Sequence, residues 1–320
     1  MYSALLVIIY LAFISLGLPD TLLGSAWPQM HIELNASLSS AGIITMIISM
    51  GTVISSLFSD RLNIKLGTGK VTAISVLMTA VALLGFSLSH SFIILCVLAV
   101  PYGLGAGAVD AALNNYVALH YSSKHMSWLH CFWGVGASIG PYIIGTCMAH
   151  GLGWRGGYSV ISVLQFTLTA ALFITLPLWK KVENSENNVI NGNNERTQEE
   201  PQERKAKSLS EVLHIKGVIY ILFAFFCYSA VEQTTTLWCA SYLVLNRSID
   251  SNIAAKFAAF FYIGITFGRF LCGFIADKLG DKNMIRLGIV IIVFLWYHEN
   301  EKYKEQKLQT RDQSVQEYPQ

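Results

Sequence analysis

Three acidic side chains stand inside runs that are otherwise apolar: Asp20, Asp110 and Glu232. An ionisable group in hydrocarbon costs about 3 kcal/mol or more, so it faces a partner or a wet cavity and points to function. Asp110 lies in Pro101–Tyr121, PYGLGAGAVDAALNNYVALHY, just ahead of Asn114 and Asn115. A separation of four residues puts Asp110 and Asn114 on one helix face. A carboxyl group so placed can bind and release a proton as its surroundings change, and the two amides can bond the hydroxyls of a polar solute. Interhelical bonding is the other use of the amides, above all for Asn115. Asp20 follows Gly17-Leu18-Pro19, where proline weakens the helix and frees backbone carbonyls toward a cavity. Nearer the outer mouth, Asp20 would be only a solvated polar group. Glu232 and Gln233 form a second polar cluster, with Trp238 about two turns further on. Hydrogen-bonding groups beside an aromatic ring suit a sugar, although Trp238 alone also fits core or lipid packing. His130, between Trp128 and Trp133, either joins a proton path or belongs to an interfacial aromatic belt.

The elements that hold these residues follow from composition. Of 320 residues, 53% are hydrophobic and only 13% charged, against about 25% charged in soluble domains. This is an all-α polytopic membrane protein. A span needs about 20 apolar residues, which predicts helices over Tyr2–Trp27, Leu38–Phe58, Val71–Leu88, Phe92–Val117, Trp128–Ala149, Tyr158–Trp179, Val218–Leu243 and Ile253–Ile275. A ninth run, Leu287–Tyr297, is only 11 residues long, enough for roughly half the hydrocarbon core. The six cysteines lie in apolar runs without metal-ligand spacing and read as small core residues. No metal cluster and no nucleotide-binding loop is evident, so ATP-driven transport is not expected, and the reading includes no cofactor and no nucleic-acid partner. No cleavable leader is evident, because the first apolar run is long and lacks basic residues ahead of it. Asn35-Ala-Ser37 and Asn246-Arg-Ser248 match glycosylation sequons by chance. Arg269 needs a partner in its span.

Charge placement gives orientation. With the N-terminus in the cytoplasm, the cytoplasmic connections hold Arg61, Lys65, Lys70, Lys124, Lys180, Lys181, Arg196, Arg204, Lys205, Lys207, Lys216, Lys278, Lys282 and Arg286. The other side has Arg155, Arg247 and Lys256, and cations favour the cytoplasm. Val182–Lys207 is rich in Asn, Glu, Gln and Lys and is expected to be a disordered linker. The predicted organisation is a six-span bundle (1–179), a cytoplasmic linker (180–215), a partial second bundle (216–297) and a polar tail (298–320).

An internal repeat supports that division. After the second span the chain reads Ser56-Leu-Phe-Ser-Asp60-Arg61-Leu-Asn63-Ile-Lys65, and after the eighth Gly273-Phe-Ile-Ala-Asp277-Lys278-Leu-Gly280-Asp281-Lys282. Two such loops at corresponding places mark a duplication. They resemble the cytoplasmic signature of the major facilitator superfamily, Gly-x-x-x-Asp-Arg/Lys-x-Gly-x-Arg/Lys. The second copy fits well, while Ser56 and Asn63 replace both glycines of the first. Gly136-Ala-Ser-Ile-Gly140-Pro141 is similar to that family's Gly-Pro hinge motif. Asp20, Asp110 and Glu232 in spans one, four and seven resemble the fucose-permease-like branch. The resemblance implies two six-helix bundles, of which the second stops partway here. It also implies proton coupling by Asp110 and Asp20, with Asn114, Asn115, Glu232, Gln233, Trp238 and His130 available to the solute.

The function expected from all this is secondary transport of a small polar solute, a sugar for preference, coupled to protons in a plasma membrane. A drug–proton antiporter of the same superfamily is the alternative suggested by the Gly-Pro motif. An intramembrane aspartyl protease would need Asp20 and Asp110 close enough to share a proton, and the duplicated loop has no place in it.

Overall fold

The computed structural model describes residues 2–194, 211, 213–280, 282–295, 297, 298 and 301. Every regular element among them is a helix, since in lipid a chain must satisfy its backbone groups internally. In order they are α1 (Tyr2–Asp20), α2 (Leu22–Glu33), α3 (Ser40–Leu66), α4 (Thr68–Leu88), α5 (Phe92–His120), α6 (Ser123–Ala149), α7 (Gly153–Asn194), α8 (Val218–Arg247) and α9 (Ser251–Leu279). Among the described residues, 8 helices are long and apolar enough to cross a membrane, α1 and α2 together counting as one. The chain divides into two compact units, Met1–Phe267 and Gly268–Gln320.

In the first unit, α1 to α7 pack as a bundle in which α3 lies along α5, α4 along α5 and α7, and α1 along α6, with α2 meeting α8. The lipid supplies no hydrophobic drive between helices, so close van der Waals packing of small residues must hold them. At the α1–α6 crossing a Cβ on Gly17 would strike the Trp133 carbonyl, and one on Gly136 the carbonyl of Ile14. At the α3–α5 crossing Gly103 and Gly107 press on the backbone of Ile48 and Thr52. Two apolar clusters share α1: Leu5, Ile9, Phe13 and Leu16 join one, and Leu18 joins the other with Leu22, Trp27 and Met30 of α2. Gln165 ties α7 to α1 by accepting from the Ser15 hydroxyl at 2.5 Å and donating to the Ser15 carbonyl.

Several boundaries differ from those predicted. The first span is not one helix: it breaks at Thr21, after Pro19 and Asp20, and the Thr21 hydroxyl bonds the Ala137 carbonyl of α6 at 3.2 Å. Helix α3 continues to Leu66, so Asp60, Arg61 and Lys65 sit on its last exposed turns and not in a loop. The same correction applies to Gly273, Asp277 and Lys278, which lie within α9. Helix α7 runs on through Asn194, so the first part of the polar segment expected to lack regular structure is helical. Adding a residue to a helix already nucleated costs far less than starting one. The rest of the expected linker, 195–210, and most of the tail lie outside the described residues.

The second unit holds the last part of α9, the turn at Gly280 (φ 73°) and a helical stretch over 282–295. Lys282 opens that stretch, which takes in the short ninth apolar run from Leu287 to Leu295.

Candidate functional site

Within the first unit, α1, α2, α3, α5 and α8 enclose a cavity of about 580 Å³ that reaches both Asp20 and Asp110. Helix periodicity explains its walls. On α5, Tyr102, Ala106 and Asp110 recur every fourth residue and line it together, while Gly103 and Gly107 turn toward α3. On α8, Ser229, Glu232, Gln233 and Thr236 share the inward face. On α3 it is Thr45, Ser49 and Thr52.

Asp20 is held from two other helices. Its Oδ1 accepts from the Tyr102 hydroxyl of α5 at 3.0 Å, and its Oδ2 from the Trp133 indole of α6 at 2.9 Å. The glycine crossing of α1 and α6 brings Trp133 near enough to do this. Asp20 nevertheless keeps accessible surface, because the cavity lies in front of it. Asp110 accepts from Asn114 Nδ2 at 2.9 Å, and the same nitrogen also donates to the Asp110 carbonyl. Among the described residues no hydrogen bond joins the two carboxyl groups. Aromatic rings complete the wall. Trp133 meets Tyr262 edge to face at 6.4 Å, and Phe86 lies 5.6 Å from Tyr158. The Tyr158 hydroxyl is buried and has no hydrogen-bond partner among the described residues.

The residues singled out in the sequence take different places in the structure. Asp20, Asp110, Glu232 and Gln233 all line one cavity. Asn114 donates to Asp110 and does not line the cavity itself. Asn115 is exposed, one position round the helix from Asn114. His130 sits edge-on to Phe13 at 5.9 Å, away from the cavity wall. Trp238 packs against the apolar cluster that contains Trp27 and Trp154. Sequence reasoning missed Tyr102, Tyr158 and Tyr262, and it counted Trp133 only as a belt residue. The fourfold spacing of Tyr102 from Asp110 through Ala106 was the signal available for Tyr102. Among the described residues no group of His, Cys, Asp and Glu is placed to hold a metal ion.

Residues 9–296 match the Major Facilitator Superfamily. The chain belongs to the Major Facilitator Superfamily. It is 25% identical over 301 residues to the cis,cis-muconate transport protein of Acinetobacter baylyi, covering 88% of this chain and 68% of that one. It is 23% identical over 298 residues to a glucose/mannose transporter of Bacillus subtilis, covering 91% and 72%. It is also 23% identical over 288 residues to bypass of stop codon protein 6 of Saccharomyces cerevisiae. That match covers 85% of this chain but only 56% of the yeast protein, so the chain spans little more than half of that relative's length.

Proposed function

We propose that this member of the superfamily serves secondary transport of a small polar solute such as a sugar, coupled to protons and working by alternating access. The observation that carries the reading is the cavity of about 580 Å³ inside an apolar bundle, lined by Asp20, Asp110 and Glu232 together with hydroxyls and aromatic rings. Rings and converging hydrogen-bonding groups are what a hydroxylated solute needs for affinity and orientation. In this reading Asp110 carries the coupling proton, with Asn114 orienting its carboxyl group. Asp20, set between Tyr102 and Trp133 at the break after α1, is the second proton site and the solute's first contact. Glu232 and Gln233 bind from the facing side. Residues 1–179 form one moving bundle, 180–215 the cytoplasmic connection, and the N-terminus lies in the cytoplasm of a plasma-membrane protein. One relative is named for glucose and mannose, which are neutral, and another for muconate, a dicarboxylate, so the relatives leave the charge of the solute open. The aspartyl-protease reading has no support: Asp20 and Asp110 are bonded to different partners.

The test is uptake of a radiolabelled hexose into proteoliposomes, with and without an imposed pH gradient. Asn matches Asp in size and hydrogen bonding but cannot carry a titrating proton. Asp110→Asn is expected to abolish gradient-driven accumulation while leaving solute exchange measurable. Unchanged accumulation would remove Asp110 from the coupling path.

A further inference from the structure

We infer that the cavity is a charge filter: among solutes of one size and shape it favours a protonated amine over a neutral hydroxyl, and a hydroxyl over a carboxylate. This rests on the transporter reading above and adds the class of solute. The cavity wall carries three carboxyl groups, Asp20, Asp110 and Glu232, and among the described residues no Lys, Arg or His lines it. Among those residues neither Asp20 nor Asp110 is offset by a protein cation, for their partners are the neutral donors Tyr102, Trp133 and Asn114. Among the described residues the wall offers Asp20 and Asp110 no cation, and a proton or a cationic solute can supply that charge.

The surroundings suit such a solute. Trp133 and Tyr262 line the cavity near Asp20 with their ring centroids 6.4 Å apart, so the organic part of an amine held by Asp20 meets aromatic surface. Ser49 lines the cavity, and the Thr45 and Thr236 hydroxyls, which donate to backbone carbonyls of their own helices, keep lone pairs to accept from hydroxyl groups on the same molecule. A carboxylate solute would instead face like charges at short range, with no fixed cation among the described residues of the wall to receive it, and such juxtaposition is strongly unfavourable.

The experiment is calorimetric binding to the full chain in nanodiscs, at about pH 8, where an alkylamine is protonated and a carboxylic acid ionised. The probes are three glycosides of one hexose, bearing an aminoethyl, a hydroxyethyl or a carboxymethyl group, with ethanolamine, ethylene glycol and glycolate as their sugar-free counterparts. The expected order is amine, hydroxyl, carboxylate, with about tenfold or more between the first and the last glycoside, a difference of about 1.4 kcal/mol or more. Asp20→Asn should compress that spread, and Asp20→Glu, which keeps the charge, should preserve it. Equal affinities, or a carboxylate that binds tightest, would overturn the charge filter and leave the sugar reading standing. Binding of ethanolamine in preference to ethylene glycol and glycolate, with none of the three glycosides bound, would keep the filter and remove the sugar. No heat from any of these probes would overturn the inference.

Discussion

Tyr102→Phe keeps the ring and removes only the hydroxyl that Asp20 accepts. Hydrogen bonds between helices in lipid contribute about 0.6 kcal/mol on average and up to about 2 kcal/mol. Because the Asp20 carboxyl has two donors from two helices, the substitution is expected to lower stability by about 1 kcal/mol. In an Asp20→Ala background the same change should cost almost nothing, since the acceptor has gone. A double-mutant cycle by denaturant unfolding in mixed micelles measures the difference. Equal losses in both backgrounds would mean that Tyr102 acts by packing alone. The carboxyl groups themselves were legible in the sequence, since an acid in an apolar run stands out whatever its surroundings. Their donors were not. Tyr102 and Trp133 lie 82 and 113 residues from Asp20, and an aromatic residue in a span reads equally as core, belt or ligand. Asn115 shows the opposite error: a polar type in a promising place, turned away by one step of helical rotation.

At the scale of elements, the glycines of the α1–α6 crossing determine whether Trp133 can reach Asp20 at all. A Cβ at Gly136 would collide with the Ile14 carbonyl, which belongs to backbone and cannot swing aside. Gly136→Val is therefore expected to force the helices apart, cost about 1–3 kcal/mol of stability and lower the melting temperature in detergent. A Cβ at Gly42 of α3 would meet no atom within 4 Å, so Gly42→Ala should leave melting unchanged or slightly raised. A Gly136→Val protein that melts like wild type would deny the close crossing. The spans were readable because hydropathy measures what lipid demands, and all 8 were predicted. Helix ends were less so, because helices need not stop where lipid does. Nothing in the apolar pattern distinguishes Phe58 from Leu66 as the end of α3, or Trp179 from Asn194 as the end of α7. The break at Thr21 was half legible: Pro19 marked a weak point, but the residue that breaks depends on the bond from Thr21 to Ala137 in another helix.

For the molecule as a whole, the two ends of the first unit differ in chemistry. At one end Arg155 donates to Glu33 Oε2 at 2.5 Å and to the Ser89 carbonyl, and the Trp154 indole donates to the same Glu33 oxygen at 2.9 Å. These bonds gather the end of α2, the α4–α5 turn and the start of α7 at one membrane face, where Arg155 is already neutralised by Glu33. The α3–α4 and α5–α6 turns lie at the other ends of those helices, and the helix ends that flank them carry Arg61, Lys65, Lys70 and Lys124. Cations that remain in the cytoplasm during insertion fix the direction in which the bundle is threaded. The positive end is therefore expected to be cytoplasmic and the Glu33–Arg155 end exterior. Two well-exposed residues report on this: Ile64 at the end of α3, 85% exposed, and Leu152 in the α6–α7 turn, 62% exposed. In a version whose six native cysteines are replaced by serine or alanine, Leu152→Cys should react with a membrane-impermeant maleimide added to intact cells. Ile64→Cys should react only after the membrane is opened. Labelling of Ile64→Cys in intact cells, with Leu152→Cys protected, would invert the orientation, and with it the side from which a proton first reaches Asp20.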